Sequence, residues 1–421
     1  MKRIIYIISV LTLVILFSFA LSSCGGDEET EDYTLNVYNW GEYISDGSLG
    51  TLDVNAEFEK YCKEELGLNV NVIYSTYATN EDMYSKILSG AGSMYDIVIP
   101  SDYTIQKMIT AGLLHSYDVS ELPNYQYIDD DFKGLYFDPE NRYSVPYTYG
   151  TVGVIYNSTM VDPEDIEDES WDLLFNEKYK GKILQFNNPR DGLATAMFKL
   201  GLDINSTDKA DWDQALALLA EQKPIVQAYV SDEIYNKMIS NSASIAAYYV
   251  GDYISMTWSN PDLAFYYPKE GTNVFVDSMC ILESSKNKEL AKEYINFMLS
   301  EEIAIANATY IGYASPNSLV YENEDYAEEM GEDAMEVLYG SSDSVNKSYP
   351  YDPFYHDYTP EMQEYTNMLW ETLKTQNSTE AWVHIASIAI VVGAGAFIGY
   401  DIYIKRKRSR DYRLRDRQRN K

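Results

Sequence analysis

Short apolar and tyrosine-rich runs alternate with longer amphipathic stretches through most of this chain. Runs of about four to eight β-branched, apolar or aromatic residues are typical of strands, and apolar residues at every third or fourth position are typical of helices. The predicted strands are 35–39, 69–74, 96–100, 151–156, 182–186, 225–228, 245–249 and 274–282. The predicted helices are 52–66, 80–89, 191–200, 209–221, 288–300, 301–308 and 359–374. This alternation predicts an α/β fold.

Polar or aromatic loops follow the first three predicted strands. Ligands bind at the carboxyl ends of strands in open α/β sheets, so these loops are expected to converge at one edge. The loops are 40–43, 75–77 and 101–103. The first loop is the most informative, because it places Trp40, Glu42 and Tyr43 around a glycine. An indole, a carboxylate and a phenol are components of a site for an organic cation.

The amino-terminal end resembles a lipoprotein signal peptide. Lys2 and Arg3 precede an apolar run, and the sequence L-S-S-C ends at Cys24. This pattern predicts a signal peptide over 1–23, a lipidated Cys24 and an acidic linker over 24–32. An uncleaved anchor helix is the alternative, since the apolar run approaches the length of a membrane span.

The carboxyl-terminal end contains a second membrane pattern. An almost wholly apolar segment predicts a transmembrane helix over 382–404, and the basic residues of 405–421 predict a cytoplasmic tail. The part of the chain between the two ends is therefore expected outside the cytoplasm, attached to the cell membrane.

The strong negative charge limits the classes of partner. The whole chain has a net charge of −34, although its tail is basic. Nucleic acid and anionic lipid headgroups are poor partners for such a domain, whereas cations are favoured. Surplus acid also simply keeps proteins soluble, so the charge permits a cation ligand without demanding one. Cys62 and Cys280 are far apart in sequence and are expected to be free thiols rather than a disulfide.

Sequence motifs of catalysis and cofactor binding are missing. The chain has 3 histidines and contains no zinc-protease, nucleophile-elbow or P-loop motif. We therefore predict a protein that is not an enzyme and that holds no cofactor or metal.

Aromatic residues are abundant instead, with 40 tyrosines. An extended aliphatic amine needs ring faces for its methylenes, carboxylates for its ammonium groups and hydroxyls for the remaining N–H donors. A buried ammonium without a carboxylate is costly, so an acid near each end is required. Most of the tyrosines are nevertheless expected to serve packing or plain surface.

Several segments in a fixed order resemble the spermidine/putrescine-binding proteins of bacterial ABC polyamine importers. The resemblance extends from about Leu35 to Leu319 and more weakly to about Lys374. The segments are Y-N-W-G-E-Y-I from Tyr38, I-Y-S-T-Y-A-T-N-E-D-M-Y-S-K from Ile73, Y-D-I-V-I-P-S-D-Y from Tyr95, S-V-P-Y-T-Y-G from Ser144, Y-K-G-K-I from Tyr179, Y-P-K-E-G from Tyr267, V-D-S-M from Val276 and I-G-Y-A-S-P-N from Ile311. One such segment is weak, but the ordered set is specific.

The resemblance implies a two-lobed type II periplasmic-binding-protein fold that closes on its ligand. The chain is then expected to cross between lobes near Gly150, Val276 and Tyr321. Lobe I would comprise 33–150 and 276–321, and lobe II would comprise 151–275 and 322–374.

The resemblance also implies roles for individual residues. Trp40 and Tyr43 match pocket aromatics, Glu42 matches a neighbouring acid, and Ser101 and Tyr103 match a loop that contacts the ligand.

Four further positions match ligand-binding residues of the family. Asp277 matches the carboxylate that grips an inner amine, Tyr313 a pocket phenol, and Ser231 a hydroxyl of the second lobe. Asp191 stands where the family has a glutamate for the terminal amine.

Three positions depart from the family pattern. Asn188 replaces an aspartate that spermidine binders use for the terminal amine, and Tyr249 and Phe275 replace tryptophans. A lost buried charge partner is worth about 1 to 3 kcal/mol, so the preference between spermidine and putrescine stays open.

The leading hypothesis is a receptor that captures a polyamine and delivers it to ABC permease and ATPase subunits. The alternative is a sensor or interaction protein that signals through the C-terminal helix. A third hypothesis keeps the fold and binds another organic cation or a sugar, although Trp40, Asp277 and the acidic balance disfavour a sugar.

Overall fold

The computed structural model describes residues 32–340 and 346–375. The predicted signal peptide, the lipidated Cys24, nearly all of the linker, the predicted transmembrane helix (382–404) and the basic tail (405–421) lie outside the described residues. Within the described ranges, no helix combines the length and the apolar character that a membrane span requires.

Strands and helices alternate through the described residues. The strands are β1 (Asp32–Trp40), β2 (Asn69–Tyr77), β3 (Ile97–Val98), β4 (Ser144–Asn157), β5 (Ile183–Phe186), β6 (Val226–Val230), β7 (Ile245–Tyr249), β8 (Leu263–Tyr266) and β9 (Val274–Ile281). The α-helices are α1 (Val54–Tyr61), α2 (Asn80–Leu88), α3 (Asp102–Thr110), α4 (Pro189–Leu200), α5 (Lys209–Gln222), α6 (Glu233–Ile239), α7 (Val250–Thr257), α8 (Lys288–Met298), α9 (Glu301–Ile311), α10 (Ser318–Tyr321), α11 (Glu324–Met330), α12 (Glu332–Tyr339) and α13 (Pro360–Thr375). The predicted α/β class is confirmed.

One long strand joins two sheet regions. The strand order is β2-β1-β3-β9-β4-β7-β5-β6, and β8 also pairs with β4. The first part of β4, up to Thr151, lies antiparallel to β9. From Val152 onward β4 pairs with β7, and from Val154 also with β8. The parallel pairs lie on either side of this junction, as β1 with β2 and β3, and β5 with β6 and β7.

Each sheet region has its own hydrophobic core. Leu35, Phe58 and Tyr294 are buried in the core around β1, β3 and β9. Trp171 and Trp212 are buried in the core around β5, β6 and β7. We call these parts the first lobe and the second lobe. The residue boundaries predicted for lobe I and lobe II stay predictions.

Several segments differ locally from the sequence prediction, among them the following. Helix α3 begins at Asp102, where a loop was predicted, because Ile105 and Met108 bury one helical face. The predicted helix 52–66 ends as an α-helix at Tyr61 and continues as one π-helical turn, Cys62–Leu66. Helices α11 and α12 lie in a region for which no element was predicted.

The two cysteines of the described part are free and buried, as expected from their spacing. Cys62 lies in the first core, and Cys280 lies in β9.

Helix α13, the last one in the described residues, packs on the second lobe. Trp370 is 3% exposed and covers Gly192 of α4, where a Cβ would overlap the indole ring. The contact thus depends on a glycine inside a helix, although alanine is intrinsically the better helix former.

We expect Gly192→Ala to destabilise the protein by about 1 to 3 kcal/mol in urea unfolding, because overpacking against Trp370 outweighs the gain in helix propensity. Adding Trp370→Phe should recover part of the loss, since the smaller ring makes room. Unchanged or higher stability of Gly192→Ala would contradict this packing.

Candidate functional site

A cavity of about 170 Å³ lies between the lobes, at the carboxyl ends of several strands. It is lined by all of the residues that the sequence assigned to ligand binding: Trp40, Glu42, Tyr43, Ser101, Tyr103, Asn188, Asp191, Ser231, Tyr249, Phe275, Asp277 and Tyr313. The structure thus brings these twelve residues together, and their binding of a ligand stays a prediction.

Asp277 provides a carboxylate on the first-lobe side of the cavity. It lies in β9 opposite Thr148 of β4 and is 4% exposed. The Tyr43 hydroxyl donates to Asp277 Oδ2 at 2.7 Å. That hydroxyl is also 2.7 Å from Thr148 Oγ1, so Thr148 must be the donor in the second hydrogen bond.

The other oxygen of Asp277 is without a hydrogen bond of acceptable geometry in the described protein. Burial raises the pKa of Asp277 to about 6, and hydroxyls of Ser101 and Tyr43 oppose the rise. Ser101 thus approaches the carboxylate without forming a well-directed bond to Oδ1. A buried carboxylate with a free oxygen is poised to accept a strong donor.

Asp252 is a second carboxylate of the cavity, half-buried in the first turn of α7. Tyr235 donates to Asp252 Oδ1 at 2.7 Å, and Tyr313 donates to Oδ2. Burial raises the pKa of Asp252 to about 6, while both phenols oppose the rise. The Tyr313 ring reaches this position because Gly251 leaves room for it, since any Cβ at residue 251 would overlap that ring.

Asp191 is the third carboxylate, in the first turn of α4. Asn188 caps this helix by accepting from Asp191 N at 2.8 Å, and its Nδ2 donates to Asp191 Oδ2 at 2.9 Å. Tyr249 donates to the same Oδ2, and Tyr355 donates to Oδ1 at 2.9 Å. Both oxygens of Asp191 therefore already accept hydrogen bonds from neutral groups.

Aromatic rings cover the space between these acids. The ring centroids of Tyr43 and Tyr313 are 5.3 Å apart, and those of Phe275 and Tyr313 are 6.0 Å apart. Phe275 also meets Tyr249 edge-on at 5.7 Å. Trp40 packs against Tyr77 at 4.6 Å. Such a lining suits a guest with an apolar middle.

The remaining predicted residues also line the cavity. Glu42 is exposed and has a positive φ of 51°, an uncommon conformation for a residue with a side chain. Ser231 is also exposed. The side chains of Ser101 and Tyr103 are held by Asn80, whose Nδ2 lies 3.0 Å from each hydroxyl.

The sequence analysis missed several residues that line the same cavity: Asn80, Arg190, Tyr235, Asp252 and Tyr355. Asp252 could have been predicted from the sequence, because it follows strand β7 by three residues. Ligands bind at the carboxyl ends of strands in open α/β sheets. Tyr355 comes from a distant segment with no strand or helix of its own, so no local pattern points to it.

Comparison with known proteins identifies relatives over most of the chain. A family model described as bacterial extracellular solute-binding protein matches residues 56–331. The spermidine/putrescine-binding periplasmic protein of Escherichia coli (strain K12) is 34% identical over 287 residues, which cover 68% of this chain and 78% of that protein.

Solved structures share the fold. A Listeria monocytogenes protein with 37% identity superposes with a TM-score of 0.72 and covers 81% of this chain and 99% of its own. The spermidine/putrescine ABC transporter substrate-binding protein of Streptococcus pneumoniae has 33% identity, a TM-score of 0.65, and coverage of 81% and 98%. The predicted periplasmic-binding-protein fold and the predicted family are thereby confirmed.

Proposed function

Since this chain belongs to the bacterial extracellular solute-binding proteins, together with the spermidine/putrescine-binding periplasmic proteins, we propose that it captures a polyamine outside the cytoplasm and delivers it to the membrane subunits of an ABC importer. Capture is binding without chemical change, so the protein acts as a receptor and not as an enzyme. A sensor that signals through 382–404 is not favoured by relatives that bind solutes.

The observation that carries the proposal is a pair of desolvated carboxylates, Asp252 and Asp277, whose side-chain hydrogen-bond partners in the described part of the chain are neutral hydroxyls. The largest influences on the pKa values of Asp252 and Asp277 are burial, hydroxyls, a backbone amide and another acid. Ionised carboxylates removed from water require a positive partner or a proton. A diammonium or triammonium guest supplies that charge.

The rings explain the middle of such a guest. Methylenes between two ammonium groups are apolar, and the faces of Trp40, Phe275 and Tyr313 bury them next to the acids. An aromatic contact with a desolvated cation contributes on the order of 0.5 to 2 kcal/mol. A sugar would leave the carboxylates without counter-charge, so an organic cation fits this cleft better.

Asp277→Asn should weaken binding of putrescine and spermidine by about 10- to 100-fold, because it removes the charge whose second oxygen is free. Glu42→Gln is the matched control, and it should cost much less because Glu42 is exposed to water. Isothermal titration calorimetry at pH 7.5 measures both. Equal and small losses would place the site elsewhere, and no heat from any polyamine with the unmodified protein would refute the proposed ligand class.

Affinity should fall as the pH drops below about 6, because protonated Asp252 and Asp277 must release their protons before they can accept an ammonium. Above that pH both acids are ionised and affinity should level off. Titrations from pH 5 to 8, repeated in buffers of different ionisation enthalpy, should reveal proton release near pH 6. A flat affinity and no proton release over this range would contradict the two pKa values.

We further infer attachment to the cell membrane, through lipid on Cys24 and a helix over 382–404, from the sequence patterns at the two ends. Metabolic labelling with palmitate should mark the protein, and Cys24→Ser should abolish the label. Palmitate label that persists in Cys24→Ser would contradict the lipid anchor. That result would not bear on the proposed ligand.

A further inference from the structure

Arg190 is a buried cation with no carboxylate within salt-bridge distance among the described residues, although Glu81 acts on it from farther away. It lies in the first turn of α4, next to Asp191, and is 6% exposed. Its Nη1 donates to the carbonyl of His356 at 3.0 Å, whereas Nε and Nη2 find no hydrogen-bond acceptor among the described residues. Burying a guanidinium in this way is costly unless another interaction compensates.

Aromatic rings provide that compensation. The guanidinium carbon of Arg190 lies 3.8 Å from the ring centre of Tyr103 and 3.9 Å from that of Tyr358. The ring of Tyr355 lies at 5.0 Å. A guanidinium that stacks on ring faces inside a desolvated site is among the stronger cation–π arrangements.

The contact with Tyr103 crosses between the lobes. Tyr103 lies in α3 of the first lobe, and its hydroxyl donates to Glu81 at 3.2 Å, which places an acid behind the ring. Arg190 and Tyr358 belong to the second lobe, where Tyr358 packs in the second-lobe core. Opening the cleft would separate Arg190 from the Tyr103 ring but not from the Tyr358 ring.

Other first-lobe side chains contact residues 355–357, where the carbonyl of His356 accepts the hydrogen bond from Arg190. Gln106 accepts from the backbone N–H of Asp357 at 3.2 Å, and Lys107 lies 3.9 Å from the Asp357 carboxylate. The Tyr136 hydroxyl donates to the carbonyl of Tyr355. These contacts join the first lobe to the segment that packs on Arg190, so they would form together with the Arg190–Tyr103 contact when the cleft closes.

We propose that Arg190 is a positioning residue for ligand retention, acting through the Tyr103 ring to hold the two lobes closed around an occupied cavity. The contact forms only on closure, so its loss speeds ligand release and leaves the encounter with the open cleft unchanged. This proposal rests on the proposed function, because its test requires a bound ligand whose release rate can be measured.

Stopped-flow fluorescence with putrescine tests this directly, because Trp40 lines the cavity. Arg190→Met should raise the release rate about tenfold or more while the association rate changes less than about twofold, since a desolvated cation–π contact is worth about as much as a factor of ten. Arg190→Lys keeps a cation, so its release rate should lie between those of the unmodified protein and Arg190→Met.

Lys209→Met is the matched control. The Lys209 ammonium lies 4.8 Å from the ring centre of Tyr365, and both residues belong to the second lobe. A cation–π contact within one lobe should not affect release. If Lys209→Met raised the release rate as much as Arg190→Met does, the effect of Arg190 would not be specific to closure.

A double-mutant cycle separates closure from general damage. Tyr103→Leu should also speed release, and Arg190→Met combined with Tyr103→Leu should be no faster than the faster single variant, because both remove one contact. Strictly additive effects, or unchanged release in Arg190→Met, would overturn the proposal. If Arg190→Met does not fold, Arg190→Lys takes its place in the cycle. Absence of putrescine binding by the unmodified protein would instead refute the proposed function.

Discussion

Carboxylates that are taken out of water must be matched by a proton or by a cation, and several of them line the cavity of this protein. Asp191, Asp252 and Asp277 come from different elements, α4, α7 and β9, and all receive hydrogen bonds from tyrosine hydroxyls. These neutral hydroxyls leave the charges of Asp252 and Asp277 uncompensated, and Asp277 Oδ1 accepts no hydrogen bond among the described residues. Burial is the main cause of the raised pKa values of Asp252 and Asp277, and the hydrogen bonds from hydroxyls do not cancel this imbalance.

The sheet arrangement creates this imbalance by bringing distant parts of the chain to one place. Strands β4 and β9 run antiparallel at the junction of the lobes, which sets Asp277 beside Thr148 and within reach of Tyr43. Asp252 reaches the same cavity from the second lobe and is tied to Tyr313, which packs in the first core. The hydrogen-bond network of the acids therefore spans both lobes, so a guest that changes their charge also changes the balance between open and closed states.

Local patterns predicted the strands that position the site, because half-buried and buried strands leave clear apolar runs. Strand β7 was predicted at its observed bounds, and Trp40 and Tyr43 of the predicted loop 40–43 line the cavity. Short elements were harder to predict. Strand β3 contains only Ile97 and Val98, and α3 begins in a polar sequence, with the buried positions that define it further on.

Contacts made by tertiary packing lay beyond any local pattern. The role of Gly251 depends on the Tyr313 ring that crosses it, and the stacking of Arg190 depends on Tyr103 and Tyr358, which are far from it in sequence. The resemblance to polyamine-binding proteins supplied the positions that match that family, and it did not lead to Asp252 or Arg190.

The most direct test of the account is an electron density map of crystals grown with putrescine. The account predicts an extended guest along the aromatic wall, with one ammonium about 3 Å from Asp277 Oδ1. A closed cleft without a guest, or a guest that leaves Asp252 and Asp277 uncontacted, would contradict it.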